Sequence, residues 1–273
     1  MNRSESRKTL LFLTDLSNGS EQEDIIISNY LRDHFEVIIC HPNDCESIED
    51  QVGGIIIRNT WNDSKYGEEG SGDYGRFFLK GLKTHDYLYI SSGESKDYLI
   101  ELYQKGYPVI PSIDTVEKID HLPATGDYFI KPKDGYSGIG ARKVSRKELI
   151  ELNPERYLIQ PFIDFEYEVS FYYLDKKFQH ALYAPSKKER WSLTEYTPSQ
   201  SDIEFAGKFV NWNPQKYGIE RIDTCRLKDG SLFLVEITDQ GGVYLSMPLL
   251  PDHVKENFLK SLVASIQKNI FGA

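Results

Sequence analysis

Two acidic side chains, Asp223 and Glu236, flank the Lys228-Asp229-Gly230 stretch in YGIERIDTCRLKDGSLFLVEIT. Asp-Gly between two alternating apolar runs is a hairpin signal. Asp223 lies six residues before Asp229 and Glu236 six after Gly230, so the two carboxylates are expected opposite each other. Like charges directly opposite destabilise a strand pair unless something offsets them. A divalent cation would do so, and Mg2+ is commonly held by one or two carboxylates together with substrate phosphates. Arg221, two residues before Asp223, shares its face of the strand and could meet a phosphate or acyl-phosphate oxygen. In FIKPKDGYSGIGARKVS, residues 129–145, Lys131 closes an apolar strand and a glycine-rich turn from Gly135 to Gly140 follows. Such a turn lets backbone N–H groups approach phosphate oxygens without side-chain obstruction. The chemistry outlined is phosphoryl transfer.

Each feature alone has a blander reading. A lone lysine at a strand end is more often a surface lysine snorkelling into water. The glycine run reads equally as a hairpin connection, and Arg221, Asp223 and Glu236 as the solvated face of a half-exposed strand. Their conjunction on one hairpin carries the argument.

The elements that must position these residues follow from periodicity. TLLFLTDL, EVIICHP and GGIIIRNTW read as strands, with EDIIISNYLRDHF as an amphipathic helix between the first two. That β-α-β order implies a parallel sheet. NDSKYGEEGSGDYG is a polar loop, FFLKGLK a short helix and HDYLYISS a fourth strand. SKDYLIELYQKG has Ser95 as an expected N-cap and Gly106 as its stop. YPVIPS is extended; DYFIKP and GARKVS form a hairpin; RKELIEL is a helix and RYLIQPFI a strand. EVSFYYLDKKFQHALYA is two strands turning at Asp175-Lys176-Lys177, and DHVKENFLKSLVASIQKNIF is a closing helix. His180 lies in a strand, where packing is the first expectation and a substrate contact the second. The stretch from 184 to 217 is polar, aromatic and proline-marked, and is expected to supply substrate contacts. Its Lys187, Lys188 and Arg190 suit a carboxylate or equally form a solvated basic turn.

Composition bounds the rest. A chain of 273 residues, 40% hydrophobic and 27% charged, is an ordinary globular protein long enough for several subdomains. No apolar run is long enough to cross a bilayer, and no signal-peptide core follows the N-terminal residues, so a cytoplasmic setting without a membrane partner is expected. Cys40, Cys45 and Cys225 lack metal-ligand spacing and read as reduced thiols. A formal net charge of −10 argues against a nucleic-acid partner. A nucleotide pocket needs only a few local cations.

From about Lys96 to Leu245, the order and spacing of these segments resemble the ATP-grasp superfamily of carboxylate–amine ligases. KDYLIELYQKGYPVIPS is similar to the segment carrying that superfamily's first nucleotide lysine, here Lys96. YFIKPKDGYSGIG is similar to the second-lysine strand and flexible phosphate loop, with Lys131, Gly135, Ser137, Gly138 and Gly140. YLIQPFI resembles the hinge that receives adenine, with Gln160, Pro161, Phe162 and Ile163, and EYEVSFYYLD the acidic strand, with Glu168. RID and LFLVEIT resemble the metal hairpin. The looser resemblance to glutathione-synthetase-like and D-cycloserine-synthetase-like members, through IIIRNTW and the run from EYEVSFYYLD to KKERW, implies that Arg58, Trp61 and Arg190 face an acceptor. For Trp61 a structural role has equal standing.

Two places depart from the pattern. Thr238 stands where that superfamily usually has asparagine, with Asp239 beside it, so either Asp239 substitutes as a ligand or a second metal is loosely held. The glycine that often precedes Glu168 is absent.

The resemblance implies an α/β (α+β) ATP-grasp fold: a parallel-sheet, Rossmann-like domain over 1–92, a lid subdomain over 93–160 and a metal-bearing subdomain over 161–273. It implies ATP with Mg2+ (Mn2+ as a substitute), Lys131 and Arg221 as catalytic cations, and a carboxylate and an amine as substrates, an amino acid or peptide among them. A homodimer is compatible with it. The expected activity is amide-type ligation through an acyl phosphate. A small-molecule kinase of the same fold and a nucleotide-binding module without turnover are the alternatives.

Overall fold

A computed structural model of the protein describes residues 8–16, 21–41, 44, 48, 52–58, 95–133, 138, 140–151, 156–189, 191–239 and 244–272. The side chains of Glu21 and Asp239 are outside that description. The expected loop over 62–75, helix over 77–83 and strand over 85–92 lie outside the described residues.

The first sheet is parallel, as β-α-β order requires. Its strands are β1 (Thr9–Leu13), β2 (Glu36–Cys40) and β3 (Gly54–Ile57), in the order β2-β1-β3. Helix α1 (Glu21–Arg32) connects β1 to β2 and buries Ile27 and Leu31. Both faces of β1 are covered, which is why it reads as an unbroken apolar run.

Helix α2 (Tyr98–Gln104) is shorter than expected and starts after Asp97, not after Ser95. Ser95 Oγ donates to Asp97 Oδ2 at 2.8 Å, and Lys96 N–H donates to the Lys133 carbonyl at 2.8 Å. That second bond ties Lys96 to the end of the lysine-bearing strand instead of to a helix. The helix stops at Gly106, whose φ of 77° favours glycine.

A three-stranded antiparallel sheet holds β4 (Asp127–Pro132) between β5 (Arg142–Ser145) and β6 (Tyr157–Pro161), with α3 (Arg146–Glu151) packed on it. A five-stranded sheet follows in the order β11-β10-β7-β8-β9, from β7 (Tyr167–Leu174), β8 (Lys177–Ala184), β9 (Thr194–Glu195), β10 (Ile219–Arg226) and β11 (Leu232–Asp239). The β7–β8 turn has positive φ at both Asp175 and Lys176, the geometry of a tight two-residue hairpin.

Period-two alternation splits this sheet between two cores. Val169, Phe171 and Tyr173 face one core with α2 and with α4 (Gln200–Trp212). Tyr172 and Leu174 face the other, with α1 and with α5 (Asp252–Asn269), where Phe258, Leu259 and Leu262 are buried. Within the stretch 184–217, helix α4 turns one face toward the core. Ser199 and Asp202 form a reciprocal capping box, and Ala206, Phe209 and Val210 enter the core. His180 is packed, as first expected, with its ring stacked on Tyr172 at 4.5 Å. Cys40 and Cys225 are free thiols; Cys45 lies outside the described residues. Among the described residues, no helix is long and apolar enough to cross a membrane.

Candidate active site

Antiparallel pairing of β10 with β11 puts Asp223 directly opposite Glu236, and Arg221 opposite Thr238. The register shifts just after Asp223, a bulge of the kind that re-aims side chains near functional sites. On the other side of β10, Asp223 pairs with Ser170 of β7, whose hydroxyl donates to Asp223 Oδ1 at 2.6 Å. The alternating face that buries Tyr172 and Leu174 therefore continues, at its other end, into the site.

The repulsion expected between the two carboxylates is met by basic side chains. Arg221 grips Asp223 in a fork, with Nε at 2.9 and 3.1 Å from the two oxygens and Nη2 at 2.9 Å from Oδ2. Lys96 Nζ lies 3.1 Å from Glu236 Oε1. Lys131 reaches the same hairpin from β4, donating to the Val235 carbonyl at 2.9 Å across a separation of 104 residues. Two lysines from one half of the chain and two carboxylates from the other thus converge.

Burial holds the Lys131 ammonium well below its ordinary range, at about 8. Glu236 pulls it back up, Lys96 pushes it further down, and Asp223 and Glu168 lie within reach. Burial also opposes the charge on Arg221, but Asp223 beside it keeps its pKa raised. A desolvated lysine and an over-held arginine next to carboxylates form a site whose charges are balanced but not sealed. The Arg221 and Asp223 side chains keep about a fifth of their surface exposed, and Glu236 about a third.

Other expected residues are placed as follows. Gly138 and Gly140 have φ of 76° and 74°, and a Cβ on Gly140 would lie 3.0 Å from Pro132 Cγ, so this turn needs glycine. Gly135 and Ser137 lie outside the described residues. Gln160 is buried, with its amide donating to Ser112 Oγ at 2.8 Å. Pro161 is buried, Ile163 half-buried, and Phe162 exposed with Lys143 Nζ 4.4 Å above its ring. Glu168 is half-buried on the strand next to β10. Thr238 Oγ1 is 3.5 Å from Arg221 Nη2.

Arg58, implied as an acceptor contact, is 2% exposed, and its guanidinium is taken by Glu23 and Asp24. Trp61, Arg190 and the Asp239 side chain lie outside the description.

Among the described residues, no group of three or more His, Cys, Asp or Glu could hold a metal by itself. Asp223 and Glu236 nonetheless fit Mg2+ of the kind that takes one or two carboxylates and completes its shell with phosphate and water oxygens. The donors are hard oxygens on adjacent strands.

Sequence reasoning missed Ser170 and Tyr98. The signal for Ser170 was its alternation with Glu168 along β7. Tyr98 gave none: its hydroxyl accepts from Ile237 N–H at 2.7 Å, 139 residues away, and braces β11 against α2.

No protein-family model matches the chain, and no curated protein matches it by sequence. Solved structures do match. D-cycloserine synthetase DcsG superposes with a TM-score of 0.71 at 16% identity, over 94% of this chain and 99% of that one. The Bacillus anthracis D-alanine–D-alanine ligase complexed with ATP gives 0.64 at 16% identity, over 98% of each. The ATP-grasp ligase PsnB, complexed with a phosphomimetic variant of a minimal precursor, Mg and ADP, gives 0.63 at 13% identity, over 97% and 99%. The chain has the ATP-grasp fold.

Proposed function

We propose that this protein is an ATP-dependent carboxylate–amine ligase that forms an amide-type bond through an acyl phosphate. The observation that carries the reading is the convergence of Lys96 and Lys131 on the Asp223–Glu236 hairpin, beside Arg221. Matched solved structures hold ATP, or Mg with ADP, which supports a nucleotide here. Nucleotide would sit between a lid formed by 93–160 and the 161–273 piece, with the 1–92 domain on the acceptor side.

Phosphoryl transfer asks the protein chiefly for position and for charge aimed at the transferring oxygens. Lys96 and Lys131 would bind the α- and β-phosphates, and the turn from Gly135 to Gly140 would close over them and exclude water from the acyl phosphate. Gln160 to Ile163 would receive adenine through backbone groups, since the Gln160 side chain is engaged with Ser112. Glu168 would orient the lysines or contact ribose. Mg2+, held by Asp223 and Glu236 with Thr238 or Asp239 nearby, would neutralise phosphate charge. Arg221 would let part of its grip on Asp223 go to the transferring phosphoryl group and then to the tetrahedral intermediate. The acceptor is an amine-bearing small molecule, an amino acid or a peptide, and the reaction is placed in the cytoplasm.

The test is ADP and phosphate release from MgATP with a defined amino-acid and dipeptide mixture, products being identified by mass spectrometry. Equal ADP and phosphate with a condensed product is expected. A stable phosphorylated product would make it a kinase instead. Tight ATP binding with no ADP released would leave a binding module and overturn the ligase reading.

A further inference from the structure

Residues 244–247 run between the two halves of the molecule. On one side, Arg221 Nη1 donates to the Tyr244 carbonyl at 3.1 Å. On the other, Leu245 N–H donates to Glu23 Oε1 and Oε2 at 2.9 and 3.0 Å, and Met247 N–H to Oε2 at 3.1 Å. Glu23 belongs to α1, more than 220 residues away, and is 1% exposed.

Between the two amides, Ser246 has φ 55° and ψ 33° and is fully buried. A non-glycine residue in this left-handed region is strained, and such strain persists only where the surroundings over-determine it. Here it turns the amides on either side of Ser246 toward one carboxylate, the backbone arrangement that captures anions. The carboxylate is fixed from behind by Arg58, whose Nη2 bonds Glu23 Oε1 and whose Nε is 3.2 Å from Asp24 Oδ1. Thr14 Oγ1 donates to Asp24 in turn. Tyr172, 1% exposed, lies within electrostatic reach of both Glu23 and Arg221.

We propose that Glu23 is a positioning residue: through the amides of Leu245 and Met247 it fixes the 244–247 strap, whose Tyr244 carbonyl sets the attitude of the Arg221 guanidinium. Three donors of Arg221 are committed by this arrangement and by Asp223, so the guanidinium plane is fixed and its remaining N–H groups have a fixed direction. Loosening the strap would remove the Nη1 hold and leave the guanidinium on the Asp223 fork alone, with the lysines and carboxylates in place. The inference rests on the ligase reading of Arg221.

The test uses Glu23→Gln, which keeps an acceptor oxygen, and Glu23→Leu, which keeps none and leaves Arg58 paired with Asp24. Under the ADP-release assay above, kcat should fall about tenfold for the first and further for the second, with the KM for MgATP within about twofold. In an Arg221→Lys background, where the fork is already lost, the same changes should cost less than about twofold more. Hydrogen exchange at the Leu245 and Met247 amides should speed by about tenfold or more in both variants. Losses that multiply in the Arg221→Lys background, unchanged kcat in folded variants, or unchanged exchange at both amides would each overturn the proposal. A wild type that releases no ADP sinks the ligase reading instead, and amide exchange then decides whether Glu23 holds the strap.

Discussion

Among the described residues, two arginine–carboxylate clusters differ in exposure. Arg58 with Glu23 and Asp24 is sealed, its side chains 0–3% exposed, while Arg221 with Asp223 keeps about a fifth of each side chain open. In the sealed cluster every charge is answered from within the chain, and burial pushes the Glu23 carboxyl above its usual range although Arg58 and two backbone amides pull it back. In the open cluster the same ion-pair chemistry leaves room for an incoming anion or cation to compete. A buried pair removed by halves is strongly destabilising, whereas a partly solvated pair is worth little to stability. Between these two clusters exposure, more than residue type, is what differs, although Lys96 and Lys131 beside the open one are themselves buried.

The strongest way to break this division is to delete the open side's charges. Lys131→Ala and Glu236→Ala should each lower ATP-dependent ADP release by about 10²–10³-fold or more, with thermal unfolding close to wild type. Near-normal turnover in either folded variant would remove the site from this hairpin.

Next comes the exchange of roles between arginines. Arg58→Ala leaves two buried carboxylates facing each other without their cation and should cost about 3–5 kcal/mol in urea unfolding. Arg221→Ala should cost about 1 kcal/mol and yet reduce ADP release by about 10²-fold. If both variants lost stability equally, the distinction between sealed and open would fail.

How much of this was legible varies with sequence distance. The Asp223–Glu236 opposition followed from a period of two and an Asp-Gly turn, both local, and β10 and β11 pair in that register. Lys131 could be placed because its strand and the glycine turn adjoin. Helix α4 carried a signal that polar and aromatic neighbours masked: Ser199 and Asp202 in capping positions, then Ala206, Phe209 and Val210 on one face. Ser95 looked like a cap because its type is right, but the Lys96–Lys133 backbone bond decides where the helix begins. The true partners of Arg58 were hidden differently. Glu23 and Asp24 lie 35 and 34 residues upstream, on a helix whose pattern says only that one face is buried. Long-range pairing of charges leaves no periodic trace.

The sealed region also holds a buried imidazole. His180 is 5% exposed, stacked between Tyr172 and the edge of Phe258, and among the described residues neither ring nitrogen has a hydrogen-bond partner. Burial lowers its pKa to about 4 from an ordinary 6.5. The unfolded chain therefore binds the proton first, and the contribution is complete above pH 6.5 and lost as pH falls toward 4. The loss is on the order of 3 kcal/mol. Comparing urea unfolding of wild type and His180→Phe at several pH values isolates it from the carboxylates; the variant's stability should fall less steeply below pH 6.5. Parallel curves would mean that the ring is protonated in the folded state or reaches water.

Lys131 is the counterpart on the open side, and its effect is the smallest and the most diagnostic. Its ammonium is depressed to about 8 by burial, with Lys96 adding to the depression and the carboxylates of Glu236 and Asp223 resisting it. Near that pH, about half of these amines are neutral in the ligand-free protein. A triphosphate brings negative oxygens to the same place and favours the charged form. Binding of MgATP near pH 8 should thus take up about half a proton, falling toward none near pH 6.5, and affinity should weaken as pH rises further. Calorimetry in buffers of different ionisation enthalpy reads the uptake directly, and Lys131→Met should abolish it. His180 resists protonation because it is buried, whereas Lys131 should accept a proton when a ligand arrives. No uptake by wild-type protein that binds nucleotide would mean that the phosphates lie elsewhere and that this lysine belongs with the sealed cluster.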